Sequence, residues 1–274
     1  MAKHTSFNIG GAADWFLETD DLAAVLQLGL PFRVIGAGTN LLVSDAGVEG
    51  LVVRCVARRH AVRGTRIRAE AGLKMMRLAR IAADHDLTGF EWAIGVPGAV
   101  GGAVYQNAGC WGRELSEVLV EVEGLTPAGD RVVWTPDELQ LGYRHSALRH
   151  GHLRGHIVTA ATIELEPGDG SASRRRMSEL TAERERTQPI KTKNCGSVFV
   201  NPTGDSAGRL VEAGGFKGAR QGGAQVSPLH ANFIVNTGGA TASDVWTLIE
   251  RVRAGVLDQF GIELQPEVER VGRW

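Results

Sequence analysis

Cysteine is scarce: Cys55, Cys110 and Cys195 are the only three in 274 residues. An odd, sparse set is a poor disulfide framework and fits a reducing compartment. No two cysteines have C-x-x-C spacing, which argues against a structural zinc site. His145, His150, His152 and His156 crowd one segment, but acidic and cysteine partners are missing there, so no metal is expected. No run approaches the ~20 apolar residues that span a bilayer. The first seven residues lack the apolar core of a signal peptide. A cytoplasmic chain without membrane insertion is therefore expected. An excess of charge of one sign is missing too. Thirty Lys and Arg stand against 31 Asp and Glu, a net charge of −1, so nothing steers nucleic acid to the surface. No segment repeats at solenoid periods.

What the chain has in excess is glycine, 36 residues, about twice the usual share of ~7%. The glycines gather in loops without a period, which excludes collagen. The richest run covers residues 95–109 (GVPGAVGGAVYQNAG). It is nearly uncharged, and its side chains look too small to build a core. Glycine has no Cβ to hold a ligand away, and successive backbone N–H groups can converge on a diphosphate. The competing reading is a set of tight turns. A second such loop, residues 36–40 (GAGTN), follows an apolar strand at 31–35. It resembles a dinucleotide fingerprint but lacks the third glycine and the following helix, which disfavours NAD binding of that type.

Length suggests about two domains, and 43% hydrophobic with 22% charged residues is a globular composition. Residues 13–19 read as a strand, 22–28 as a short helix capped by Asp20 and Asp21, and 51–56 as a further apolar strand. After Arg58, alternation marks strands at 61–63, 67–71, 118–125, 131–135 and 157–165. Residues 74–85 form a helix with Met75, Leu78, Ala79 and Ala82 on one face. Pro167-Gly168-Asp169-Gly170-Ser171 is the strongest linker signal. A charged helix at 174–187, a helix near 207–213 and a strand at 231–236 follow. Ser243 caps a long helix to residue 260, and 261–268 closes the chain as a strand. The expected domains are 1–166, subdivided near residue 57, and 167–274.

Five stretches recur in order: 36–43, 95–109, Tyr143-Arg144-His145-Ser146, 194–202 and 230–236. They are flanked by Thr5-Ser6-Phe7-Asn8-Ile9-Gly10-Gly11-Ala12 and Pro266-Glu267-Val268. Together they resemble the UDP-N-acetylenolpyruvoylglucosamine reductase family over nearly the whole chain. The resemblance implies an α+β protein. Its FAD-binding domain would be of the vanillyl-alcohol-oxidase type, built of two α+β subdomains, with a C-terminal α+β domain for substrate. It implies FAD and NADPH as cofactors and a UDP-sugar as partner, in peptidoglycan precursor synthesis. FAD contacts are implied for Gly36, Ala37, Gly38, Thr39, Asn40 and Leu41, and for Gly95, Pro97, Gly98, Gly101, Gly102, Ala103, Asn107, Ala108 and Gly109. Substrate contacts are implied for Tyr143, Asn201, His230 and Asn232, and catalysis for Arg144, Ser197 and Glu267. The chain departs from the family in having Val200 where Lys is frequent and Ala37 where Gly is frequent. It also lacks a long substrate-gripping insertion and so resembles the shorter subtype.

The residue types suit the implied reaction. Hydride addition to an enolpyruvyl ether creates an enolate-like carboxylate, which needs a cation and hydrogen-bond donors. Arginine's planar fork pairs with a carboxylate at two points. A desolvated Glu267 can hold its proton and donate. Ser197 is the implied proton donor to the basic carbon, and Cys195 beside it carries no thiol motif. Two other readings stay open. One is an oxidase or dehydrogenase of the same FAD fold. The other is a nucleotide-sugar sensor without turnover.

Overall fold

The computed structural model describes residues 1–274. Packing sorts them into two compact units, each discontinuous in sequence. The first holds Phe16–Ala37 and Leu51–Ala182; the second holds Met1–Trp15, Gly38–Gly50 and Glu183–Trp274. No helix is long and apolar enough to cross a membrane.

The first unit is built on an antiparallel five-stranded sheet. Its strand order is Arg131–Trp134, Leu119–Leu125, Ile157–Glu164, Arg66–Glu70, His60–Arg63. Val122, Ile163, Ile67 and Ala69 bury one face, as alternation predicts. The helix Met75–Asp84 adds Met75, Leu78, Ala79 and Ala82 to this core. The expected linker at 167–171 is not one. Glu166–Pro167 pairs with Leu87–Thr88, and Gly170 already starts the helix Gly170–Thr187. The Gly170 N–H donates to Asp86 Oδ1 at 3.1 Å, while Met177 and Leu180 are buried in the unit's core. That helix therefore begins four residues before the expected 174, and the boundary between units falls within it.

The glycine-rich run also departs from expectation. Val100–Tyr105 is a helix, and Val96, Val100, Ala103, Val104 and Ala108 all belong to the core. Small side chains here build core by letting backbone come close. The Val100 and Gly101 N–H groups donate to Leu73 O and Ala71 O, both at 2.9 Å. A Cβ on Gly101 would stand 3.0 Å from that of Ala71.

In the second unit, the helix Ala242–Phe260 packs Val245, Leu248, Ile249, Val252 and Val256 into a separate core. This spacing is one helical stripe, and each such side chain contributes roughly 2 kcal/mol. Its cap is Thr241, not Ser243. Thr241 Oγ1 accepts from Asp244 N at 3.0 Å, and Asp244 Oδ2 accepts from Thr241 N at 3.0 Å, a reciprocal pair that Ser243 cannot form. A small antiparallel sheet, Arg220–Gln221, Ala224–Val226 and Ile234–Asn236, completes the core. Residues 261–268 are not a strand. Pro266, with no N–H to give, makes a lone bridge to Phe199. The strand is Glu269–Val271, parallel to Leu41–Val43.

Candidate active site

In the first unit, Phe32–Ile35 pairs in parallel with residues 51–54 and delivers the chain to Gly36. A Cβ on Gly36 would lie 3.4 Å from that of Ala99. The end of the upstream strand and the downstream glycine run therefore face each other with almost no side chain between them. The N–H groups of Ala37, Gly98 and Ala99 reach no acceptor in the chain. A Cβ on Gly102 would meet nothing within 4 Å.

The same unit displays Arg144. Gly142 and His145 exchange backbone hydrogen bonds of 3.1 and 2.9 Å, so Tyr143 and Arg144 form the centre of a tight turn. Arg144 is left-handed, φ 54. Its Nη2 donates to Gly109 O at 3.1 Å, and its guanidinium lies 4.9 Å from the centre of the Tyr143 ring. Tyr143 is exposed.

In the second unit, Gly38 shows why only glycine stands there. Its φ is +66, and a Cβ would fall 1.9 Å from His4 O. Asn194 Oδ1 accepts from Gly196 N at 2.8 Å, turning the chain into Ser197. Val198 then accepts from Glu267 N at 2.7 Å, and Val200 N donates to Gln265 O at 2.9 Å. Ser197 and Glu267 are thus carried on adjacent antiparallel segments. The Ser197 hydroxyl makes no hydrogen bond within the chain and is half-buried, while Glu267 is buried. Burial pushes the Cys195 thiol up. Cys195 therefore stays a thiol, inert as a nucleophile.

The implied substrate residues of this unit have structural tasks. Asn232 is buried and brackets Phe199, accepting from its N–H and donating to its carbonyl, both at 2.9 Å. Its own backbone carbonyl receives Val198 N at 2.8 Å. These bonds hold residues 231–233 out of the strand expected there. His230 Nδ1 accepts from Asn232 N at 3.2 Å. Burial holds the imidazole below its usual range. Asn201 Oδ1 accepts from Ala207 N at 3.0 Å, at the start of the helix Ala207–Ala213.

Residues 18–135 match an FAD binding domain, and 188–271 match the C-terminal domain of UDP-N-acetylenolpyruvoylglucosamine reductase. The protein of that name from Caldanaerobacter subterraneus is 42% identical over 280 residues, spanning 99% of this chain and 92% of its own length. The one from Caulobacter vibrioides is 43% identical over 282 residues, spanning 100% and 93%. This chain belongs to the UDP-N-acetylenolpyruvoylglucosamine reductase family. The crystal structure of the reductase from Thermus caldophilus superposes with a TM-score of 0.84 at 37% identity, over 98% of this chain and 96% of that one. The fold is therefore the expected α+β FAD-binding fold with the family's C-terminal domain.

The residues present fit FAD. A diphosphate needs converging donors and no bulk. The N–H groups of Ala37, Gly98 and Ala99 are uncommitted on facing stretches of chain, and the space over Gly102 is open. Sequence reasoning missed the residues that frame the Arg144 turn, Glu114, Ser116 and Gly142, which Asn107 ties together. No local pattern marks them.

Proposed function

We propose that this chain reduces the enolpyruvyl ether of UDP-N-acetylglucosamine-enolpyruvate to UDP-N-acetylmuramate, with FAD and NADPH, as a step in peptidoglycan precursor synthesis. The observation that carries the reading is the uncommitted Ser197 hydroxyl on a segment bonded to that of buried Glu267, within the stretch that matches the family's C-terminal domain. Bound FAD supplies relay of a hydride from NADPH to the terminal vinyl carbon of the substrate.

The protein's residues do the rest. Arg144 grips the substrate carboxylate through its planar fork. Ser197 Oγ gives its proton to the carbon bearing the ether oxygen. Serine is a weak acid, matched here to a strongly basic enolate-like carbon. Glu267, in its protonated form, donates a hydrogen bond to the developing charge. Tyr143, Asn201, His230 and Asn232 shape the binding of the UDP-sugar. The backbone at 36–41 and 95–109 holds FAD. We assign FAD binding chiefly to the unit of Phe16–Ala37 and Leu51–Ala182 and substrate binding chiefly to the unit that holds Glu183–Trp274, and place the protein in the cytoplasm.

The test is an anaerobic titration of the FAD-loaded protein. The flavin absorbance bleaches on adding NADPH and returns on adding the enolpyruvyl UDP-sugar. Return with oxygen but not with that substrate favours an oxidase. A protein that binds the UDP-sugar but never bleaches with NADPH is a sensor.

A further inference from the structure

Asn107 has no exposed surface and sits in left-handed backbone, φ 46. Both polar atoms of its side chain are bonded within the chain. Nδ2 lies 2.8 Å from Glu114 Oε2, 3.2 Å from Ser116 Oγ and 3.0 Å from Gly142 O, and Oδ1 accepts from Ser116 N at 3.0 Å. Two hydrogens serve three acceptors, so the amide has no donor left for a ligand. Gly142 is the base of the turn that displays Arg144. Two further bonds join the same segments. Arg144 Nη2 reaches Gly109 O at 3.1 Å, and Ser146 Oγ reaches Tyr105 O at 2.5 Å. The stretch 105–109 thus grips the turn 142–146 at three points. A non-glycine residue in left-handed backbone persists only where its surroundings dictate it. Both Asn107 and Arg144 are such residues, and they are tied together.

We infer that Asn107 is a positioning residue for Arg144, which it aims at the substrate carboxylate through the Gly142 carbonyl. This rests on the assignment of Arg144 as the carboxylate grip. It gives the Asn107 side chain a task in the reaction of the sugar, while its backbone stays in the run that holds FAD.

Two ligands separate the possibilities. UDP-N-acetylmuramate carries the carboxylate and UDP-N-acetylglucosamine lacks it. Their Kd values are measured by calorimetry on FAD-loaded wild type, Asn107→Gly and Arg144→Ala. Glycine accepts the left-handed backbone, so Asn107→Gly removes only the amide. It should cut the preference for the carboxylate ligand about tenfold, the effect of a lost charge-assisted hydrogen bond, and leave the Kd of UDP-N-acetylglucosamine unchanged. Flavin reoxidation by the enolpyruvyl sugar should slow roughly 10- to 100-fold, with reduction by NADPH unchanged. Asn107→Ser, which shortens the side chain without adding charge beside Glu114, should behave alike if the glycine variant does not fold. The inference is overturned if Asn107→Gly keeps the preference while Arg144→Ala loses it. It is also overturned if both ligands weaken equally, as a purely structural role requires. If Arg144→Ala keeps the preference, the carboxylate role of Arg144 fails, and this inference fails with it.

Discussion

The Asn40 side-chain amide donates to the backbone carbonyl of Glu267 at 3.0 Å, across 227 residues of sequence. Directly afterwards, Glu269 N returns to Asn40 O at 2.9 Å, and Leu41–Val43 runs parallel to Glu269–Val271. Asn40 therefore fastens the end of the upstream glycine loop to the segment that carries Glu267. The residue types of that loop suggest only an anion cradle. Its last member is also a structural clamp.

Removing the clamp should be measurable. Asn40→Ala deletes one donor to a backbone carbonyl and should cost about 1 kcal/mol. The urea midpoint of unfolding reports it. Asn40→Asp keeps the size but lacks the donor, and should lose as much. An Asn40→Asp protein as stable as wild type would remove this bond from the account.

Gly102 tests the FAD assignment without disturbing the fold. A Cβ there meets nothing within 4 Å, and alanine favours a helix over glycine by up to about 1 kcal/mol. Gly102→Ala should leave the apoprotein as stable as wild type or more so, yet weaken FAD binding by at least about tenfold if FAD fills that space. Calorimetric titration of apoprotein with FAD measures this. Unchanged FAD affinity would move the cofactor away from this helix face.

Much of this architecture is legible in the residues, and the exceptions have physical causes. Leu119–Leu125 and Ile157–Glu164 are legible as strands, the second by an apolar run, because Val158 and Ala160 are buried as well as Ala161 and Ile163. The helix Val100–Tyr105 is hidden, since two of its six residues are glycine and local propensity opposes it. Its backbone bonds to Ala71 and Leu73 impose it. The strand Ala13–Thr19 is legible as a strand, although Asp14 to Glu18 are all exposed. Within the candidate site, Arg144, Ser197 and Glu267 stand out only through the family motifs. What braces them is not local. Asn107 meets Gly142 35 residues away, and Ser197's segment meets Glu267's through backbone bonds alone, which no side-chain pattern encodes.

Glu91 should make stability fall in acid. Burial raises its carboxyl, but bonds from Ser173, Thr88 and the Gly89 N–H outweigh that and hold it below the usual carboxylate range. Ser173 Oγ is the nearest, at 2.5 Å. A group depressed in the folded state stabilises fully above its unfolded pKa, about 4.3 for Glu, and this contribution is lost as pH falls through the folded value. Urea midpoints from pH 6 to pH 3 should therefore drop, and less steeply in Ser173→Ala. Equal slopes in the two proteins would assign the acid sensitivity to other carboxyls.

Ser197→Ala separates the two halves of the proposed reaction. Alanine removes a hydroxyl that bonds to nothing in the chain, so the fold should lose little, within ~0.5 kcal/mol. Reduction of the flavin by NADPH needs no proton from Ser197 and should proceed at the wild-type rate in stopped flow. Reoxidation by the enolpyruvyl sugar needs that proton and should slow by about 10²–10⁴. Ser197→Cys restores a donor of lower pKa but larger radius, and should recover part of the rate. If both half-reactions slow together, Ser197 acts on cofactor binding. If neither slows, the proton comes from another group, and buried Glu267 on the neighbouring segment becomes the first to test.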